Sequence, residues 1–457
     1  MYIALIIALL ILGIVFYFLL DKEILSPTII TISMFILCTI FAFTGRLSWN
    51  DTDISINVIL IIVLGILSFG IGESISRLMP IKGTKKETNE SETNNKVIKI
   101  ETWKIIAVTL FIFITIFFTY TEIIRISDNV GVHGSFSQRM SAFREASTLF
   151  NANAIEEGNS INTIVSQMKK VCDILCVVLI YIIINNFIYK KNIEEFINED
   201  ILLITPVFLC LLLSVLTGGR GLILRFIIAA ILILLILLMK KESSKDIFKK
   251  TIKIGVTLLI IIIPIFYLSL PLLGRKTSKG IVEYTTFYFG CSIPSFEEFL
   301  NNPPEHDGHF GSESLYGIQT ILYRLKLTDY INPISREWTT FEDQNGSEYN
   351  SNIYTCFRRY YYDFGITGVV VCSLIFGFVF HKLYECAKEK ENPMYLIFYA
   401  SYGYMLIDQI RDELFFTRFI NINTIINIIL VITCTYFFIN FDYEKMRLKL
   451  LNIGDKK

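Results

Sequence analysis

Charge is scarce in this chain. Asp, Glu, Lys and Arg make up 18% of its 457 residues, against 53% hydrophobic residues and a mean hydropathy of +0.54. A soluble chain of this length carries more charge. The apolar excess lies in long continuous runs and not in one large core, which excludes an ordinary water-soluble domain and indicates a polytopic helical membrane protein. Alternating ten-residue segments are missing too, which excludes a transmembrane β-barrel. There is no G-x-S-x-G, H-E-x-x-H, Walker or G-x-G-x-x-G element, so cytoplasmic nucleotide chemistry is not expected. No Cys/His spacing resembles a zinc site. Net charge is zero and carries no information about partners; the distribution of charge does.

Of nine cysteines, Cys38, Cys172, Cys176, Cys210, Cys372 and Cys434 fall in apolar runs and read as small buried hydrophobes. Cys386 sits at the end of a span. Cys291 and Cys356 are expected to be exposed outside the cytoplasm, as two isolated thiols or as a disulfide. Met1 to Leu20 lacks a basic leader region and its apolar run is too long for a signal peptide, so it reads as a retained helix.

Eleven spans of roughly 20 residues are predicted, near 2–20, 27–44, 55–76, 104–125, 165–188, 201–218, 221–239, 254–273, 365–385, 394–410 and 422–440. The tenth is aromatic and polar, more like a bundle-facing helix than a lipid-facing one. Lysine sets the orientation. The connectors 77–103, 189–200, 240–253, 386–393 and the C-terminal tail, with Lys22 and the flanking Lys104 and Lys382, hold 22 of the 27 lysines. By the positive-inside rule they face the cytoplasm. The N-terminus, the connectors near 45–54 and 126–164, the 218–221 turn, the segment 274–364 and 411–421 then lie outside. The C-terminus lies inside, and the whole of 1–457 forms one polytopic membrane domain.

Arginine runs the other way. The outer side carries 13 of 15 arginines but five lysines. Lysine suffices for anchoring, whereas arginine is favoured where phosphate or carboxylate is gripped by two prongs. The outer face therefore looks built to hold an anion; the competing explanation is loop arginines paired with loop acids. The 82–99 part of the polar cytoplasmic loop 77–103 is low in hydrophobes and reads as disordered. In Ser135 to Phe150, residues Phe136, Met140, Phe143 and Phe150 share one helical face. That fits an amphipathic helix on the outer membrane interface, or one packing on the bundle. No internal repeat appears, nor the paired broken helices of a secondary transporter.

The stretch from Gly274 to Phe364 is the longest polar interval between apolar blocks. It opens with Gly274-Arg275-Lys276, passes His306, Asp307, His309, Glu313, Tyr316 and Arg324, and closes on Arg358-Arg359-Tyr360-Tyr361-Tyr362-Asp363-Phe364. Upstream, Thr217-Gly218-Gly219-Arg220-Gly221 joins two spans. Its glycines permit close ligand approach, and Arg220 opens a helix near its positive dipole end, a combination suited to a diphosphate. A hairpin turn with a snorkelling arginine is the alternative. Arg225 lies deeper, where an arginine is costly unless it faces a cavity. Arg275 could simply anchor at the interface, and the three tyrosines could belong to an aromatic belt. Beside Arg358 and Arg359 they also suit a sugar-and-phosphate site. Asp51-Thr52-Asp53 could hold a divalent metal, but a cap for the third span is the preferred reading. His133, His306 and His309 are outer histidines able to act as a base.

Gly218-Gly219-Arg220-Gly221, then Phe310-Gly311 with Tyr316 and Ile321-Leu322, then Asn352-Ile353-Tyr354-Thr355 and Asp363-Phe364-Gly365-x-x-Gly368 occur in an order that resembles the oligosaccharide repeat-unit polymerases of O-antigen and capsule assembly (the Wzy type). The likeness covers about residues 1–440. It implies an all-α membrane-embedded glycosyltransferase, GT-C-like, with a long extracytoplasmic segment, in a bacterial cytoplasmic membrane. It implies joining of undecaprenyl-diphosphate-linked repeat units without cofactor, nucleotide sugar or obligatory metal. Its partners would be the lipid-linked oligosaccharides and membrane lipids, with a chain-length regulator and a flippase alongside and no nucleic acid. On this basis Arg220 and Arg275, then Arg358 and Arg359, then Arg411 are the expected diphosphate-binding residues, with Tyr354 at the substrate. His309 and Asp363 are the candidate bases. An O-antigen ligase-type transferase would share the fold and the arginines. A lipid-linked oligosaccharide flippase should instead carry cations across the bundle interior, where this sequence shows few beyond Arg225.

Overall fold

The computed structural model describes residues 1–49, 53–81, 97–147, 160–190, 193–217, 220–241, 279–329, 338–342, 346 and 348–440, with the single positions 253 and 257. The order of elements is α1 (Tyr2–Leu19), α2 (Pro27–Gly45), α3 (Ile56–Arg77), α4 (Thr102–Asn129), α5 (Phe136–Ser147), α6 (Thr163–Tyr189), α7 (Ile193–Asp200), α8 (Ile204–Leu216) and α9 (Arg220–Lys241). Then follow α10 (Ile281–Gly290), α11 (Ser292–Asn301), α12 (Tyr316–Arg324), β1 (Thr339–Glu342), β2 (Glu348–Ser351), α13 (Phe357–Glu389), α14 (Pro393–Tyr402), α15 (Tyr404–Asp408) and α16 (Ile422–Thr435). Helix starts are written in the sequence: Asn162, Asn392 and Asn421 cap α6, α14 and α16 by accepting from backbone amides, and Pro27 and Pro393 open α2 and α14.

The chain is a multi-pass helical membrane protein. Among the described residues nine helical stretches are long and apolar enough to cross a membrane: Tyr2–Leu19, Pro27–Gly45, Ile56–Arg77, Thr102–Asn129, Thr163–Tyr189, Glu194–Leu216, Gly221–Lys241, Phe357–Glu389 and Ile422–Ile439. They match nine of the eleven expected spans. The expected span 254–273 lies outside the described residues. The expected span 394–410 is two short helices, α14 and α15, meeting at Gly403, where the missing side chain admits Leu232 of α9. The antiparallel ribbon β1–β2, in register Thr339↔Ser351 to Glu342↔Glu348, is the one departure from an all-α chain among the described residues.

α6 is the central helix, the most buried of the nine, whereas α1 leaves most of its apolar surface exposed, as a lipid-facing helix must. α3 and α13 form the tightest pair. A Cβ at Gly377 would sit 2.0 Å from Phe69 O, and one at Gly72 would sit 2.1 Å from Leu374 O. Small residues let the two backbones touch where no hydrophobic force drives helices together in lipid.

Contacts sort the connectors into two ends. At the lysine-rich end, Arg77 Nη2 reaches Glu23 and Glu73, each at 2.9 Å; Lys388 Nζ reaches Glu23 at 2.6 Å; and Ile98 N donates to Asn186 Oδ1 at 2.9 Å. At the arginine-rich end, Ser55 N donates to Glu297 at 2.8 Å and Lys170 Nζ to Asn423 at 2.8 Å. One buried group was passed over by the sequence analysis. Glu73 of α3 is fully buried and accepts from Ser26 Oγ (3.0 Å), Thr28 N (2.9 Å) and Thr28 Oγ1 (2.7 Å), while His381 Nδ1 meets Ser76 Oγ at 2.8 Å. The network is saturated, so it reads as a lock between α2, α3 and α13.

Two expectations are corrected. Cys291 and Cys356 are each 1% exposed and all nine cysteines are free thiols. Cys291 is packed beneath β2, its Sγ 3.2 Å from Ser351 Oγ, and Cys356 N is bonded to Gln409 O. Asp53 does not cap α3: Ser55 does, and the Asp53 carboxylate takes the N-terminal amine of Met1 and the amide of Tyr2. Asp51 and Thr52 lie outside the described residues. α5 packs on the bundle, Met140, Phe143 and Ala146 closing on Ile123 and Ile126 of α4, while Phe150 of the expected apolar face lies outside the described residues.

Candidate functional site

The arginine-rich end holds a dense polar cluster built from three separate pieces of chain. The first is the turn 311–314 before α12. The second is Asn352–Thr355 with the first turns of α13. The third is 408–413 after α15. Backbone bonds lay the last two side by side: Tyr354 N donates to Arg411 O (3.2 Å) and Cys356 N to Gln409 O (2.8 Å).

Asp363 fastens the first piece to α13. Its carboxylate accepts from Ser312 Oγ (3.3 Å), Glu313 N (3.2 Å) and Ser314 N (2.6 Å), and from Ser314 Oγ. Phe310 packs on Phe364 with ring centroids 4.8 Å apart. Gly365 follows at φ 61°, ψ −149°, a conformation essentially confined to glycine, and it breaks α13 between the turns bearing Arg358, Arg359 and Asp363 and the long span beyond. The Phe310-Gly311 and Asp363-Phe364-Gly365 pieces, 53 residues apart from start to start, thus form one local structure.

Arg358 and Arg359 are buried, at 4% and 7% exposure. Arg358 Nη1 bonds Glu313 Oε2, and its guanidinium lies 5.0 Å from the Tyr354 ring centroid. Arg359 Nη1 is 3.6 Å from the same Glu313 oxygen, and its Nε and Nη2 hold Asp412 at 2.7 and 3.4 Å. Arg411 is 3.6 Å from Asp408 and donates to Tyr288 Oη at 2.9 Å. Tyr354 Oη meets Thr339 Oγ1 at 2.9 Å, which ties β1 to the cluster. Arg359 Nη1 and Arg411 Nε are buried and make no hydrogen bond. Buried donors of this kind call for an acceptor.

Glu413 is 1% exposed and accepts from Phe416 N (2.8 Å), Thr417 N (3.0 Å) and Tyr360 Oη (3.2 Å). Burial pushes its carboxyl up to about 7, against those amides and the pull of Arg359. Burial likewise lifts Glu313 above the ordinary carboxylate range despite Arg358 and Arg359. Desolvation outweighs attraction at both.

Five predicted site residues therefore meet: Tyr354, Arg358, Arg359, Asp363 and Arg411. His309 stands on the exposed loop just before Phe310, with its amide on Asp307 Oδ1 at 3.0 Å. That loop is pinned to α13 by Tyr362, which stacks on His306 at 5.1 Å and whose hydroxyl accepts from Asp307 N at 3.1 Å. Arg220 opens α9, as its place after the glycines required; its side chain, and Arg275 entirely, lie outside the described residues.

The partners missed from sequence are Glu313, Asp412, Glu413 and Tyr288. The available signal was the acid pair directly after Arg411. Counted as ionised, Glu313, Asp363, Asp408, Asp412 and Glu413 outnumber Arg358, Arg359 and Arg411. Arginines paired with loop acids, the alternative set against anion binding, is the arrangement these three adopt. No group of three or more His, Cys, Asp or Glu side chains able to hold a metal occurs among the described residues. Comparison with family models, curated proteins and solved structures found no match to this chain.

Proposed function

We propose that this protein polymerises undecaprenyl-diphosphate-linked oligosaccharide repeat units into a surface polysaccharide at the outer face of a bacterial cytoplasmic membrane. In this reading it has the eleven spans counted from the sequence and the GT-C-like architecture that the resemblance implies. The observation that carries the reading is the convergence of the resemblance-bearing residues. Phe310, Gly311, Tyr354, Asp363, Phe364 and Gly365 are dispersed in sequence yet belong to one cluster: Phe310 packs on Phe364, Asp363 holds the 311–314 turn, and the neighbouring Arg358 lies against Tyr354.

The chemistry follows from the residues. A hydroxyl of one lipid-linked unit attacks the anomeric carbon at the reducing end of the chain on another lipid diphosphate. The new glycosidic bond forms as the bond to the diphosphate oxygen breaks, and the hydroxyl proton passes to a base. The enzyme positions two lipids and stabilises the charge on the departing diphosphate. Arg359 Nη1 and Arg411 Nε are buried donors that make no hydrogen bond. Glu313 and Glu413, both raised by burial, take up protons at little cost, which lowers the negative charge of the cluster as an anion enters. Arg220 and Arg275 would supply the surplus of cations. Asp363 is occupied in holding the 311–314 turn, so it serves as a positioning residue and His309 is the base.

The test is Arg220→Lys. Lysine keeps the charge but loses the fork. A charge-assisted hydrogen bond lost in the transition state slows the reaction by about ten- to a hundredfold. Cells carrying Arg220→Lys at wild-type membrane abundance should leave repeat units unpolymerised or make short chains. Wild-type chain length would remove Arg220 from the site. Repeat units accumulating inside the cell in a null strain would replace the polymerase with a flippase.

A further inference from the structure

A second polar site lies inside the bundle, apart from the cluster above. α6, α9, α14, α15 and α16 line a partly open cavity of about 120 Å³ whose wall includes Asp173, Arg225, Tyr402, Tyr404 and Asn427. Arg225 is five residues along α9 from Arg220, about 7.5 Å deeper. Its guanidinium lies 4.1 Å from the Tyr404 ring centroid, and its Nε is buried without a hydrogen bond. Asp173 makes no hydrogen bond or ion pair among the described residues; the cations that act on it electrostatically are Lys169 and Arg225. Asp173 and Arg225 thus line one cavity without joining. An intramembrane acid and arginine normally pair, because each alone is expensive. Leaving them apart makes sense when something between them bonds both.

The two charges limit what that can be. A phosphate would meet Asp173, and an ammonium group would meet Arg225. A neutral group with both donors and acceptors satisfies each. Its hydroxyls donate to the carboxylate and its oxygens accept from the guanidinium. Tyr402 and Asn427, bonded to each other at 2.9 Å, add a polar wall, and Tyr404 adds an aromatic one. The volume is somewhat below that of a cavity known to hold benzene, so it takes one face of a single ring, with the remaining hydroxyls in the open side of the cavity. We propose that this cavity binds a single neutral sugar ring. The inference deepens the polymerase reading and rests on it for the source of the ring, a sugar of a lipid-linked unit presented below the outer cluster.

The test is saturation-transfer NMR on the full chain in lipid nanodiscs. The probes are neutral methyl glycosides of hexoses, deoxyhexoses and N-acetylhexosamines, with methyl phosphate run in parallel. At least one glycoside should bind, and methyl phosphate should not compete. Asp173→Asn should weaken glycoside binding by about tenfold or more. Ala229→Leu, which fills the cavity from a wall position, should abolish it and decides the matter if Asp173→Asn does not fold. Binding of methyl phosphate alone, of no glycoside, or binding untouched by both substitutions overturns the inference. The two readings separate cleanly. Polymer made normally by a protein that binds no glycoside sinks the sugar site and spares the polymerase. Glycoside binding by a protein whose deletion leaves surface polysaccharide unchanged does the reverse.

Discussion

Arg359 grips Asp412 with two nitrogens, Nε at 2.7 Å and Nη2 at 3.4 Å, and so ties the start of α13 to the segment after α15. The two residues are 53 positions apart. Arg359 also reaches a second acid, its Nη1 standing 3.6 Å from Glu313 Oε2.

Truncating this arginine should be costly. Arg359→Ala removes the cation that Asp412 and Glu313 share, and removing one partner of a buried pair costs about 3–5 kcal/mol. Thermal unfolding in detergent should show a large loss of Tm. Arg359→Met combined with Asp412→Leu should recover much of it, because an apolar pair of similar volume leaves no buried charge. A double variant no more stable than the single one would deny the pairing its structural weight.

Glu413 predicts a pH dependence with a definite sign. Its folded value, about 7, lies above that of the unfolded chain, so the native state keeps a proton that the unfolded chain has already released. Its contribution is full below the ordinary carboxylate range and is lost as pH rises through about 7, with a ceiling of about 3 kcal/mol. Glu313, also raised, acts in the same direction. Stability should therefore fall from about pH 5.5 to 7.5. Glu413→Gln cannot ionise and should flatten that slope. An unchanged slope in the glutamine variant would show that Glu413 is not the titrating group.

The α3–α13 contact predicts intolerance of a single methyl group. At Gly377 a Cβ would stand 2.0 Å from Phe69 O, a rigid backbone atom, so the helices must separate. Gly377→Ala should cost about 1–3 kcal/mol or more, seen as a lowered Tm and reduced membrane abundance. Gly221→Ala, where a Cβ meets nothing within 4 Å, is the control. Equal melting of the two variants would mean the helices are not in backbone contact.

Orientation can be tested directly. A cysteine at position 345, in a background with the native cysteines replaced, should react with an impermeant maleimide in intact cells. Labelling seen only after permeabilisation would reverse the orientation inferred from lysine.

The membrane class and nine spans were legible because apolar runs of bilayer length need no tertiary information to be recognised. The grouping of connectors by lysine and arginine was legible for a similar reason: charge near a span end acts on the bilayer and not on a distant residue. The kink at Gly365 could be anticipated only as a motif glycine; the backbone angles give its cause. What a side chain faces is decided by other helices. Asp53 read as a helix cap, yet the N-terminus lies beside it and Ser55 takes the cap. Cys291 and Cys356 read as exposed, yet β2 and the 408–413 segment cover them. Arg358 and Arg359 stand out in the sequence. Their acids lie about fifty residues away on either side, and nothing local marks Glu313 and Asp412 as their partners. Asp173 and Arg225 carry opposite charge on two separate helices. That they share a cavity without touching follows from how α6 and α9 pack around α14, a distance no sequence spacing encodes.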